Sequence, residues 1–187
     1  MGSNPIGCAR EVKNMNTGKV FEHNFKNSIP DDYYSVRLKD PAVGFCGGSS
    51  TFSPNNPYDY IVYNGKHMFC FELKSKDGAI SFWDSRFDFD GKKHTFEIKK
   101  HQILGLTKAA EHDGIHAGVI INFRNKGKTV YIPIDRLNRL IKETKKSSIN
   151  CDDAMSVGIE IGVKKLKVNE RYDIRKLCEE VEELVCT

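Results

Sequence analysis

Apolar positions near the start of the chain step by four. Phe21, Phe25 and Ile29 fall on one helical face, so a helix is expected from Thr17, a suitable N-cap, until Pro30 stops it. The stretch YYSVRLK, Tyr33 to Lys39, predicts a short strand, and Asp40 to Pro57, with three prolines and three glycines, a loop. Two apolar runs then flank Asn64-Gly65, a two-residue hairpin signal because a type I′ turn needs positive φ at both positions. Ser75 to His94 is polar with scattered aromatics (Phe82, Trp83, Phe87, Phe89) and predicts a long excursion. A helix is expected over Lys99 to Glu111, with Ile103, Leu106 and Ala110 inward and Gly114 as its cap. AGVIINF predicts a strand, RNKGK a turn, and TVYIPI the hairpin partner. Asp135 is expected to cap a helix bearing Leu137, Leu140 and Ile141. A last helix is expected over about Asp173 to Val185, with Ile174, Leu177, Val181 and Leu184 inward. The order α-β-β-β-α-β-β-α-α is that of an α/β fold, a central mixed β-sheet flanked by α-helices.

The hairpin carries an anomaly. Its second run, HMFCFELKSK, ends on Glu72-Leu73-Lys74 straight after Phe69 and Phe71. With Asn64 and Gly65 as the turn, Tyr63 faces Lys66, Ile61 faces Met68 and Asp59 faces Cys70. Alternation then puts Asp59, Glu72 and Lys74 on one face, with the two carboxylates diagonal neighbours at about 7–8 Å. Val62, Phe69, Phe71 and Leu73 take the other face as core. A three-residue loop would turn Asp59 away, so the register decides the matter.

Composition narrows the class. A chain of 187 residues with 39% hydrophobic and 29% charged residues can bury a core, and a net charge of +4 is not that of a polybasic coat. Its lysines cluster, however, at 92–93, 99–100, 145–146 and 164–165, a pattern that suits a phosphate-binding stripe or a solvated surface. Six cysteines form no Cys-x-x-Cys pair and read as reduced thiols of an intracellular protein. Gly114 interrupts any helix joining His112 to His116, which argues against metal ligation there. No signal peptide, myristoylation signal or membrane-length apolar run is found, so a soluble, cytoplasmic protein is expected.

Two carboxylates and a lysine on one face suggest metal-assisted phosphodiester hydrolysis. Mg²⁺ takes oxygen ligands, usually one or two carboxylates, and keeps sites for water and phosphate. It lowers the pKa of bound water and neutralises developing charge. A lysine two residues from a ligand can hold the attacking water or stabilise that charge. Glu-x-Lys alone is also an ordinary exposed ion pair, and Glu22 with Lys26 is an ordinary i, i+4 helix pair.

Larger blocks favour the catalytic reading. The Asp, hairpin, Glu-x-Lys arrangement resembles the PD-(D/E)xK nuclease superfamily, and within it the RecU-type Holliday junction resolvases of low-GC Gram-positive bacteria and their phages. GKVFEHNFKNSIPDDYY is similar to that family's opening Gly-x-x-Phe/Leu-Glu helix, Asn-x-Ser/Thr and Tyr-Tyr pair. DYIVYNGKHMFCFELK resembles its Asp-Tyr, Tyr-x-Gly turn and Phe-Glu-Ala-Lys, and HQILGLTKAAEHDGIHAGVIINF its His-Gln-Ile helix leading into an apolar strand. Together the blocks span about residues 17 to 134.

The resemblance implies a restriction-endonuclease-like core of about 17–146, completed by a C-terminal strand and helix (155–187), in a single nuclease domain over 1–187. It implies that Asp59, Glu72 and the Leu73 carbonyl bind Mg²⁺ or Mn²⁺, that Lys74 is the catalytic lysine, that Glu22 acts through water, and that Gln102 lies near the scissile phosphate. Lys76, Arg86, Lys92, Lys93, Lys99 and Lys100 are candidate DNA contacts. The partners implied are four-way DNA junctions and a second copy of the chain, with no membrane, in a bacterial or phage-infected cytoplasm. One departure bears on substrate: the family's basic stalk corresponds to Lys39–Tyr58, which has no lysine or arginine after Lys39. Two alternatives therefore stand: a restriction-like or other branched-DNA nuclease, or a DNA-binding module that does not cut.

Overall fold

In the computed structural model, residues 17–38 and 55–185 are described. The elements are α1 (Thr17–Lys26), β1 (Tyr34–Arg37), β2 (Tyr60–Tyr63), β3 (Met68–Lys76), β4 (Ile80–Ser81), α2 (Lys100–Ala109), β5 (Ile115–Phe123), β6 (Lys128–Pro133), α3 (Ile134–Thr144), β7 (Ser148–Ile149), α4 (Cys151–Val157), β8 (Ile159–Glu160), β9 (Val163–Lys165), β10 (Glu170–Tyr172) and α5 (Ile174–Val185). Six strands form one mixed sheet in the order β1-β2-β3-β5-β6-β8, with β3 and β5 parallel and the other neighbours antiparallel. The α/β class expected from the pattern is the one observed. The loop expected over Asp40–Pro57 lies outside the described residues except at its end.

Each face of the sheet has its own core. Phe69, Phe71, Leu73, Tyr60 and Val62 point toward α1 and α5, where Phe21, Phe25, Leu177 and Val181 close over them. On the other face Cys70, Val119 and Ile121 pack against Ile103 and Leu106 of α2 and Leu137 and Ile141 of α3. At about 25 cal/mol per Å² of apolar surface buried, these two layers supply the main drive to fold. Leu73 turns its side chain into the first layer, which leaves its neighbours Glu72 and Lys74 on the α2 face.

The hairpin register corrects the sequence reading. Tyr63 pairs with Met68, Ile61 with Cys70 and Tyr60 with Phe71, so Asn64 to His67 form a four-residue loop. A type I′ turn would hold Asn64 at positive φ, but among the described non-glycine residues only Lys145 has that conformation. Asn64 instead spends its Oδ1 on the N–H groups of Lys66 (3.0 Å) and His67 (2.8 Å), and Gly65 alone takes positive φ, at 96°. The slip is two residues in total, an even number, so every side chain keeps its face.

Other differences are local. The second helix ends at Ala109, with Ala110 exposed as its C-cap, and Gly114 (φ 76°) serves the turn into β5 instead. Asp135 lies inside the first turn of α3, and Pro133 is the N-cap. Leu184 is 37% exposed at the rim of α5. Ile29 lies beyond the end of α1 yet still packs on the first core layer. Cys70, Cys151 and Cys178 are free thiols buried in the core, and burial pushes Cys178 up to about 12. Cys8, Cys46 and Cys186 lie outside the residues whose side chains are described. Among the described residues no helix is long and apolar enough to cross a membrane.

Candidate active site

The acidic residues meet where β2 begins and β3 passes its midpoint. Asp59 stands just ahead of β2; its backbone N–H donates to the Phe71 carbonyl (3.0 Å), and its Oδ2 accepts from the Leu73 N–H (2.8 Å). Its side chain thus does what a continued ladder would do and is locked beside the Glu72-Leu73 peptide. The ladder ends at Tyr60 with Phe71, and Asp59 reaches β3 beyond it through its bonds to Phe71 and Leu73.

Glu72 is 1% exposed. A carboxylate so deep is costly unless it is paired and hydrogen-bonded. Lys74 Nζ lies 2.7 Å from its Oε1, and the amide nitrogen of Gln102 donates to the same oxygen. Gln102 is itself buried, in the first turn of α2, and its Oε1 accepts from the Lys99 N–H at 2.8 Å. Both ends of that amide are therefore fixed, donor toward Glu72 and acceptor toward the helix start. The spacing of four between Gln102 and Leu106 is the sequence signal that Gln102 faces inward.

Glu22 stands apart from this group. It pairs with Arg37 on β1, a residue that the sequence reading did not single out and whose only signal is its alternation along YYSVRLK. The two charges and Asp59 converge around Tyr60. Burial pushes that phenol above its ordinary pKa, Arg37 opposes the shift, and Glu22 and Asp59 add to it. Burial likewise pushes Tyr58 up to about 12. Both phenols are then un-ionised near neutrality.

The candidate DNA-contacting cations divide into two kinds. Lys76 is paired with Glu97. Arg86 binds Asp84 at 2.8 Å and donates to the carbonyls of Lys145 and Lys146, so it pins the excursion onto the end of α3. Lys100 is held by Asp88 at 2.6 Å. Lys92, Lys93 and Lys99 are exposed.

The two halves of the site are also joined by packing. Gly105 on α2 meets Pro57, two residues ahead of Asp59: a Cβ at position 105 would stand 2.3 Å from the Pro57 Cβ, which is fixed in its ring. Alanine favours a helix by about 1 kcal/mol over glycine. Gly105→Ala is nevertheless expected to destabilise the fold by about 1–2 kcal/mol, because overpacking against a rigid ring outweighs propensity. Urea unfolding of the two proteins measures the difference.

The donor set suits a hard divalent cation. Two carboxylates flank the Leu73 peptide, every candidate ligand is oxygen, and Mg²⁺ needs no more than one or two carboxylates from the protein. Among the described residues no cluster of three or more His, Cys, Asp and Glu forms a closed protein cage.

A prophage protein of Bacillus subtilis (strain 168), the SPbeta prophage-derived uncharacterized protein YotM, is 30% identical over 184 residues, covering 89% of this chain and 87% of its own. Among solved structures, the Holliday junction resolvase Hjc of Archaeoglobus fulgidus aligns at a TM-score of 0.41 and 14% identity over 69% of this chain and 83% of its own. Residues 26–172 match the family of Recombination protein U, a span that holds Asp59, Glu72, Lys74 and Gln102 and leaves Glu22 outside. The chain belongs to the RecU family.

Proposed function

We propose that the protein is a metal-dependent, structure-selective DNA endonuclease, a Holliday junction resolvase that makes paired cuts in four-way junctions. One observation carries the reading: a carboxylate buried to 1% exposure, with a lysine and an amide on one oxygen and a second carboxylate across the strand pair. A solvated ion pair has no need of such burial. Membership of the RecU family supports the junction as substrate.

In this reading Asp59, Glu72 and the Leu73 carbonyl hold Mg²⁺ or Mn²⁺. When bound, the ion neutralises phosphate charge and lowers the pKa of water. Lys74 holds the attacking water on the side facing the phosphate and balances the charge that grows there. Water attacks phosphorus in line, the bond to the 3′ oxygen breaks, and the products carry a 5′-phosphate and a 3′-hydroxyl. Gln102 sets the Glu72 carboxylate, and Glu22 acts on solvent further out. A homodimer presents two such sites with the two-fold symmetry that paired cuts in a four-way junction require.

The absence of basic residues from 40 to 58 favours a second reading, a nuclease for other branched DNA. Cleavage of labelled four-way junctions, replication forks and linear duplex with Mg²⁺ separates the two. Preference for the four-way junction supports the resolvase. Equal cutting of all three overturns it, and binding without cutting in Mg²⁺ or Mn²⁺ reduces the protein to a DNA-binding module.

Gln102 gives a milder test. Gln102→Ala removes a donor from buried Glu72 and the acceptor of the Lys99 backbone N–H while leaving the lysine side chains in place, so kcat is expected to fall roughly 10–100-fold, the usual cost of losing a residue that orients a ligand. Half-maximal activity should need more Mg²⁺, while the KM for DNA stays unchanged. Rates titrated separately in metal and in DNA give both values.

A further inference from the structure

The excursion between β3 and α2 encloses a second recess beside the catalytic group. Its base is firm: β4 pairs with β7, Phe82 bridges to Ile98, and Ile80, Phe82 and Ile98 are all buried in the core. Its outer part folds aromatic side chains around a cleft of about 410 Å³, within the roughly 300–1,000 Å³ of small-ligand sites. Trp83, Phe87, His94 and Phe96 line it. The rings support one another: Phe87 and Phe96 lie 5.0 Å apart between centroids, and His94 stacks on Phe96 at 5.6 Å and 21°. Trp83 is braced by its Nε1–H to Asp88 (2.9 Å) and by Lys100 above its ring at 4.8 Å. Lys92 and Lys99 complete the rim.

The cleft and the catalytic carboxylate share a wall. Lys99 lines the cleft, its N–H donates to Gln102, and Gln102 donates to Glu72. The backbone of Lys99, on the cleft wall, is thereby joined to Glu72 through the Gln102 side chain.

We propose that this cleft takes a single unstacked nucleobase of the strand being cut, with Lys92 and Lys99 on the phosphates that flank it; the proposal rests on the nuclease reading above. The chemistry matches on both counts. Every base has a π-face that stacks on aromatic side chains whatever its sequence, and its backbone needs cations at the rim. A base within continuous duplex is stacked on both sides and pays to leave. One at a branch point or in a single strand pays least. The cleft thus selects branched DNA through base exposure, without lysine or arginine in the stretch from 40 to 58.

Trp83 is the only tryptophan in the chain, so its fluorescence reports the cleft directly. In EDTA, where no metal-dependent cutting occurs, a four-way junction is expected to quench it, and linear duplex bound to the same extent by anisotropy is not. Equal quenching by duplex, or none by a bound junction, overturns the proposal. A cycle on protein and DNA keeps the test independent of how well a variant folds. Abasic nucleotides placed one at a time around the branch point should weaken binding to the wild-type protein by roughly tenfold at one position, and Phe96→Ala should abolish that position's effect. An abasic effect of equal size in both proteins counts against the cleft. A junction cut normally while Trp83 stays silent sinks this proposal alone; quenching by a junction that is never cut sinks the nuclease reading alone.

Discussion

Glu72→Gln is expected to lower junction cleavage by about 10²–10³-fold at saturating Mg²⁺ while leaving junction binding in EDTA unchanged. The substitution keeps size and shape. It removes one of the two carboxylates beside the Leu73 peptide and, in the proposed function, most of the affinity for a divalent cation with it. The fold should lose little, because the group left behind is Lys74, whose side chain is 20% exposed and can carry its ammonium to water. Single-turnover cleavage of a labelled junction, beside a thermal melt, separates the two effects. Undiminished cutting by a folded Glu72→Gln protein removes Glu72 from the chemistry.

That the candidate residues could be named before the fold was seen follows from a property of strands. The turn was misread: Asn64 organises a four-residue loop with its side chain, which a dipeptide signal does not reveal. An even slip conserves the face of every paired residue, so Glu72 and Lys74 kept the face expected of them, and Asp59 reaches the Leu73 N–H between them. The long elements were legible for a similar reason, since β3 buries an unbroken run from Phe69 to Leu73 and β5 one from His116 to Ile121. Short elements were not. α4 has seven residues, begun by an Asn150 cap that bonds the Asp153 N–H, and β4 and β7 have two each; none is long enough to show a period. The pairing of Glu22 with Arg37, fifteen residues away, depends on how α1 lies over β1 and β2, which no local pattern encodes. The aromatic cleft is of the same kind: its rings came into view in the sequence only as scatter along a polar stretch.

Lys74→Met should cost the protein both activity and stability, and the stability is the more telling measurement. Glu72, unlike Lys74, cannot reach water; at 1% exposure it relies on Lys74 Nζ at 2.7 Å for its countercharge. Breaking a buried pair from that side leaves an uncompensated charge, which costs about 3–5 kcal/mol, against about 1 kcal/mol or less for Glu72→Gln, where the orphaned partner is solvated. The Gln102 amide still donates to Glu72 and offsets part of the loss, so about 3 kcal/mol is the expected figure. Added Mg²⁺ should restore some of it by binding only the folded state, in proportion to RT ln(1 + [Mg²⁺]/Kd). The double variant Glu72→Gln/Lys74→Met is expected to recover most of the stability, since a neutral amide beside a thioether carries no buried charge, and none of the cleavage. Chemical denaturation of the four proteins, with and without Mg²⁺, closes the cycle. A Lys74→Met protein no less stable than Glu72→Gln would mean that Lys74 is not what balances the buried carboxylate, and the reading of β3 as a strand built around its charges would fall.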